Sequence, residues 1–96
     1  MRNIIYTKQY LKDLKKLRLD NKFNEEELDD IIKDLANDIK LDPKYRDHKL
    51  SGQLEGFRDC HVKNDLVLLY CKTGKKELKI LTLVRLGSHA QVLPGF

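Results

Sequence analysis

The order of hydrophobic patterns along the 96-residue chain predicts an α+β fold: one short strand, two amphipathic helices, then a run of strands. Three observations carry that prediction. The opening "NIIYT", residues 3–7, is β-branched and short; residues 8–39 carry two helical periods; residues 57–86 hold strand-length apolar runs separated by turn residues. Helices segregated from a strand meander should cover one face of a mainly antiparallel sheet and leave the other for ligands.

Each element has its own signal. Thr7 can cap a helix over residues 8–18, in which Leu11, Leu14 and Leu17 recur between lysines as an apolar stripe. "LDNKFN" ends it. Asn24 can cap the next helix, Glu27 can complete a capping box, and "EEE" sets anions against the positive end of the helix dipole. Leu28, Ile31, Ile32, Leu35, Ala36 and Ile39 follow the series of a core-facing helix, which Asp42-Pro43 stops. "KYRDHKLSGQLEG" reads as an ordered loop. "FRDCHV", "DLVLLYCK" and "KELKILTLVRL" read as strands, the last two joined by a hairpin at "KTGKK". "GSHAQVLPGF" adds a short further strand or stays irregular.

A chain of this size has room for one domain, residues 1–96. No apolar run approaches the roughly 20 residues of a bilayer span, and the N-terminus lacks the apolar stretch of a secretion signal, so the expected location is the cytoplasm. In that reducing compartment Cys60 and Cys71, eleven apart in strand-like sequence, should be free core thiols. The net charge of +4 is unevenly spread: residues 1–42 hold nine Lys and Arg against ten Asp and Glu, residues 43–96 ten against five. A basic C-terminal half points to a polyanion, nucleic acid first, or an acidic protein segment.

The chemistry concentrates in "GFRDCHVKND", residues 56–65. Strand alternation puts Phe57, Asp59 and His61 on one face and Arg58, Cys60 and Val62 on the other. Asp59 and His61 can therefore act together, since a carboxylate beside an imidazole raises its pKa and fixes its orientation. If the meander also brings His48 and His89 to the same edge, three histidines, Asp65 and Arg85 share one basic patch. Such a patch holds the parts for cutting RNA without a metal: a base for the ribose 2′-OH, an acid for the leaving 5′-oxygen and a cation for the phosphorane-like charge. Zinc fits poorly, because the cysteines and histidines lack ligand spacing and adjacent Cys60 and His61 face opposite ways. Cys-His catalysis fails on the same facing, and no phosphate-binding loop or dinucleotide fingerprint is present.

"YRDHKLSGQLEGFRDCHVKNDLVLLY", with "RLGSH" near the C-terminus, resembles the YafQ branch of the RelE-type toxins of bacterial type II toxin-antitoxin systems. The resemblance implies a RelE-like fold, β-α-α-β-β-β with an optional further strand. It also implies a ribonuclease, metal-free and without cofactors, that cuts mRNA in the ribosomal A site. It implies a cognate antitoxin that buries the basic surface or displaces the C-terminal segment, a toxin-antitoxin complex that binds operator DNA through the antitoxin, and no membrane. Carried over, the catalytic positions are His48, His61, Asp65 and His89, with Arg85, Asp59 and Phe96 at the substrate. His89 would be the acid-base residue at the scissile phosphate and Arg85 the phosphate stabiliser. One departure stands out: the family places Phe four residues after the last His, where this chain has Leu93, so either Phe96 takes the stacking place or that contact is missing. The alternative to a nuclease is a non-catalytic module that holds RNA or an acidic protein on the same patch.

Overall fold

The computed structural model describes residues 1–93, so Phe96 lies outside the described residues. Its elements run β1 (Asn3–Tyr6), α1 (Lys8–Leu17), α2 (Glu25–Ala36), β2 (His48–Lys49), β3 (Arg58–Lys63), β4 (Leu66–Lys75), β5 (Leu78–Gly87) and α3 (His89–Val92). The sheet order is β1-β5-β4-β3-β2, with β1 parallel to β5 and every other pair antiparallel. This is the α+β fold expected, but the extra strand is β2, which arises before the meander inside the segment read as loop, between 3-10 turns at Pro43–Tyr45 and Gly52–Leu54, and not at the C-terminal end.

The Thr7 hydroxyl caps α1 by accepting from the Tyr10 N–H, and the Asn24 side chain caps α2 by accepting from the Glu27 N–H. Both helices press on one face of the sheet. Tyr10, Leu14, Leu28, Ile31 and Leu35 meet Cys60, Val62, Leu68, Tyr70, Leu81 and Leu83 there. The buried stripe of α1 is Tyr10, Leu14 and Leu17 rather than Leu11, Leu14 and Leu17; Leu11 is half exposed. The reason is angular: a strict three-residue spacing drifts around a helix of 3.6 residues per turn, whereas steps of four and three stay on one line. Ile39 is also exposed, because α2 stops at Ala36 and Asp38 turns left-handed at φ 56°. Arg2 and Lys72 both reach the Asp38 carboxylate, and their hydrogen bonds hold it well below the usual carboxylate range, at about 2. That pair of contacts ties the end of α2 to β1 and β4.

The opposite face is not left bare. Val67 and Leu69 of β4 are buried beneath Val92 and Leu93, with Leu50, Leu54, Phe57 and Val84 around them. Helix α3, in the segment expected as strand or irregular chain, forms that lid. Ser88 caps it and Gln91 answers in a complete capping box. Leu93, at the position where an aromatic was expected, is buried in this second core and is not free to stack on a base. Among the described residues no helix is long and apolar enough to cross a membrane.

The β4–β5 hairpin turns at Lys76–Glu77, with Lys75 opposite Leu78. Gly74 just before it adopts φ 98°, and a Cβ there would stand 1.8 Å from the Leu78 carbonyl oxygen. Gly74→Ala should therefore lower unfolding free energy by about 1–3 kcal/mol, a loss read as an earlier urea midpoint at unchanged slope.

Candidate active site

Strand β3 sorts its side chains as alternation requires: Cys60 and Val62 enter the helix-covered core, while Phe57 and Asp59 turn to the other face. Burial pushes the Cys60 thiol pKa up and leaves it inert, on the far side of the sheet from the histidines. Cys71 is also free but only half buried.

Asp59 is 1% exposed, the one buried charged residue among those described. Its cross-strand partner on β2 is His48, and the His48 Nδ1 lies 3.3 Å from its Oδ1. That approach is not a hydrogen bond, because Nδ1 is already engaged 2.7 Å from the Arg46 carbonyl oxygen. A carbonyl only accepts, so Nδ1 carries a proton, and the tautomer this selects leaves the lone pair on Nε2. Arg46 turns that carbonyl toward the ring by adopting a left-handed conformation, φ 49°. Asp59 Oδ1 is left with no hydrogen-bond donor among the described residues. Burial raises the Asp59 pKa, and His48, His61 and His89, in that order, pull against the rise. One imidazole, from β2, thus touches this dehydrated carboxylate, and the charges of two more, on β3 and at the start of α3, act on it.

His89 reaches this group because the β5–α3 junction is fixed twice. Ser88 and Gln91 cap α3, and Asp65, at the turn between β3 and β4, accepts the His89 backbone N–H at 3.0 Å. Asp65 therefore sits beside His89 and holds its main chain. Opposite Val67 on β5 stands Gly87, where a Cβ would lie 2.8 Å from the Gln91 side-chain oxygen, so the absence of a side chain lets α3 close over the strand.

Arg85 goes elsewhere. Leu69 pairs with Arg85 but Tyr70 pairs with Leu83, so β5 carries a bulge with one extra residue. Val84 takes the place in the small core, and the Arg85 guanidinium turns to Asp13 of α1, 3.0 Å from Oδ2, and to the Gln91 carbonyl of α3. Burial pushes the Asp13 carboxyl up, but hydrogen bonds from Arg85, the Leu86 N–H and Gln9 outweigh it and hold it below the usual range. None of the Arg85 contacts among the described residues reaches a histidine; it is fastened to α3 two residues beyond His89. Among the described residues no set of His, Cys, Asp and Glu is placed to hold a metal ion.

A cluster that sequence reasoning missed stands behind the site. Asp47 accepts hydrogen bonds from the Tyr70 hydroxyl and from Arg58 Nε, and Arg58 Nε also reaches the Tyr70 hydroxyl at 3.2 Å. Asp47 directly precedes His48, so this cluster anchors β2 from the opposite face of β3. The signal for it was the parity of Arg58, which strand alternation already placed on the core side with Tyr70 as its cross-strand partner.

An Asp pKa raised on folding works against stability once the group ionises. The contribution of Asp59 is most favourable below the ordinary aspartate value of 3.8 and declines as pH rises through its higher folded value. Asp59→Asn should therefore be more stable than the parent at pH 7–8, by about 1 kcal/mol, with the difference vanishing toward pH 4. Paired thermal melts across that range check it; a gain that grows on acidification contradicts it.

A model of the family described as the bacterial toxin of type II toxin-antitoxin system, YafQ, matches residues 2–94. The mRNA interferase toxin YafQ of Escherichia coli K12 is 37% identical over 90 residues, which cover 93% of this chain and 92% of that protein. A metal-bound toxin from Helicobacter pylori is 44% identical and superposes with a TM-score of 0.83 over 97% of this chain and all of that one. In the Escherichia coli DinJ-YafQ toxin-antitoxin complex the matching chain is 34% identical, with a TM-score of 0.81 over 96% of this chain and 97% of that one. With the family model spanning nearly its whole length and the same fold in these relatives, the chain belongs to the YafQ family of bacterial type II toxins.

Proposed function

We propose that this toxin is an endoribonuclease that cuts mRNA by acid-base catalysis, and the observation that carries the reading is the buried Asp59 with His48 against it and the charges of His61 and His89 acting on it. The name of the Escherichia coli relative, an mRNA interferase, supports the substrate class. The reaction needs no group beyond the chain and the RNA. One imidazole takes the proton of a ribose 2′-OH, whose oxygen attacks the neighbouring phosphorus; the bond to the 5′-oxygen breaks, and a second imidazolium protonates that leaving oxygen. The products are a 2′,3′-cyclic phosphate and a 5′-hydroxyl end.

The roles follow from hydrogen bonding. His48 suits the base, since its Nδ1 proton is committed to the Arg46 carbonyl and its Nε2 lone pair is free. His89 suits the acid at the leaving oxygen, its main chain held by Asp65. His61, next to Asp59 on the same strand face, positions the phosphate or relays a proton. Arg85 would stabilise the phosphate charge while shared with Asp13, and Phe96 would supply a stacking face. Asp59, in its ionised form, favours the imidazolium formed in each proton transfer.

A cognate antitoxin should neutralise the toxin by covering the basic surface, as the complex of the Escherichia coli relative with DinJ suggests, and the joint complex should reach operator DNA through the antitoxin. The toxin itself would act in the cytoplasm on ribosome-bound mRNA. The metal-bound Helicobacter pylori relative makes the metal question worth a direct arm of the test.

Purified protein incubated with translating ribosomes, and separately with free RNA, should generate new 5′-hydroxyl ends, undiminished by EDTA. His89→Ala should cut at least 10²-fold more slowly while melting like the parent. A 2′-deoxy substitution at the cleaved nucleotide should block the cut. RNA bound without new ends would leave the non-catalytic module as the function.

A further inference from the structure

A cleft of about 390 Å³ opens beside His61, between the start of α2, the Pro43–Tyr45 turn and the end of β3. Lys44, Arg46 and Lys63 border it, with Glu27 as the one carboxylate in its wall. All three cations are exposed, and among the described residues none is in an ion pair, unlike Arg58 and Arg85, whose guanidiniums are committed to Asp47 and Asp13. Lys44 is held at the cleft by its own neighbour, its Nζ standing 5.1 Å from the Tyr45 ring centroid. The cleft joins the histidine group at two points: His61 forms part of its wall, and Arg46 is the residue whose carbonyl orients His48.

We infer that this cleft is a phosphate subsite, in which Lys44, Arg46 and Lys63 bind the RNA backbone one or more nucleotides away from the bond being cut. The inference rests on the nuclease reading and specifies where its substrate runs. Charge decides the ligand class: three unpaired cations against one carboxylate favour a polyanion. A larger cleft of about 700 Å³ continues past Lys63 and Asn64, but in its wall Asp20, Glu27 and Asp65 outnumber Lys22 and Lys63, a balance less suited to a phosphate chain than three cations against one carboxylate. The strand therefore follows the Lys44–Arg46 side of His61. Lys63 follows His61 by two positions, across a break in the β3–β4 register at the end of the strand, and lines the same cleft.

The test uses the full chain carrying His89→Ala, so that RNA is bound and not consumed, and a single-stranded RNA spanning a cut site. Binding is measured from low to moderate salt for this protein and for versions that add Lys44→Gln, Lys63→Gln or both. Each lost phosphate contact should flatten the plot of log affinity against log salt by about 0.7, so the double variant should flatten it by about 1.4. In the otherwise native enzyme the same double change should raise KM about tenfold and leave kcat within about twofold, and Lys63→Arg should restore KM. An unchanged salt slope in a double variant that melts normally overturns the subsite. So does intact RNA binding combined with weakened capture of an acidic peptide, which would make the cleft a protein-binding surface. A parent enzyme that binds RNA with the expected slope but cuts none would instead overturn the nuclease reading and leave the phosphate subsite standing.

Discussion

Around Asp59 the chain accepts an unfavourable arrangement: a carboxylate removed from water, with one oxygen facing no donor. An isolated anion there would take up a proton, because burial favours the neutral form. What opposes that is the charge of nearby imidazoles, and what brings them is sheet register. His48 comes because β2 pairs residue for residue with the start of β3, His61 because it shares the strand face, and His89 because the β5–α3 junction is clamped to the turn before β4. Remove the register and each histidine becomes an ordinary solvated side chain. The polar site therefore depends on the apolar sheet beneath it, where Val67 and Leu69 fix the spacing.

The two faces of β3 divide the labour. On the helix side, the Asp47, Tyr70 and Arg58 contacts fasten the approach to β2 while Cys60 and Val62 fill the core. On the other side the same strand presents Asp59 and His61. A two-residue strand such as β2 could not hold an imbalance of charge by itself. It is held because its flank is bonded through the sheet plane to the far face.

Much of this was readable from residues alone, and the limits have physical causes. The alternation in "FRDCHV" assigns every side chain of β3 to its correct face, and Asn24 marks the start of α2, because both are local effects of backbone geometry. The failures are matters of phase and context. Leu11 was grouped with the core because leucine outweighs tyrosine in a hydrophobic pattern, yet Tyr10 lies on the right line. Helix α3 is only one turn long, too short for a period, although Ser88-x-x-Gln91 carried its capping signature in plain view. The bulge that sends Arg85 to Asp13 leaves no local trace, since it depends on how β4 and β5 meet. Nor could spacing reveal that Asp59 would be sealed while Asp65 stays open to solvent.

The parallel pairing of β1 with β5 carries a consequence for biosynthesis. Asn3 waits for Ile80 and Tyr6 for Leu83, so β1 leaves the ribosome with nowhere to bind until β5 has followed it. A chain abandoned before residue 78 lacks the partner of its opening strand and also lacks His89. Translation products that stop there therefore carry at most two of the three histidines and leave β1 without its partner strand.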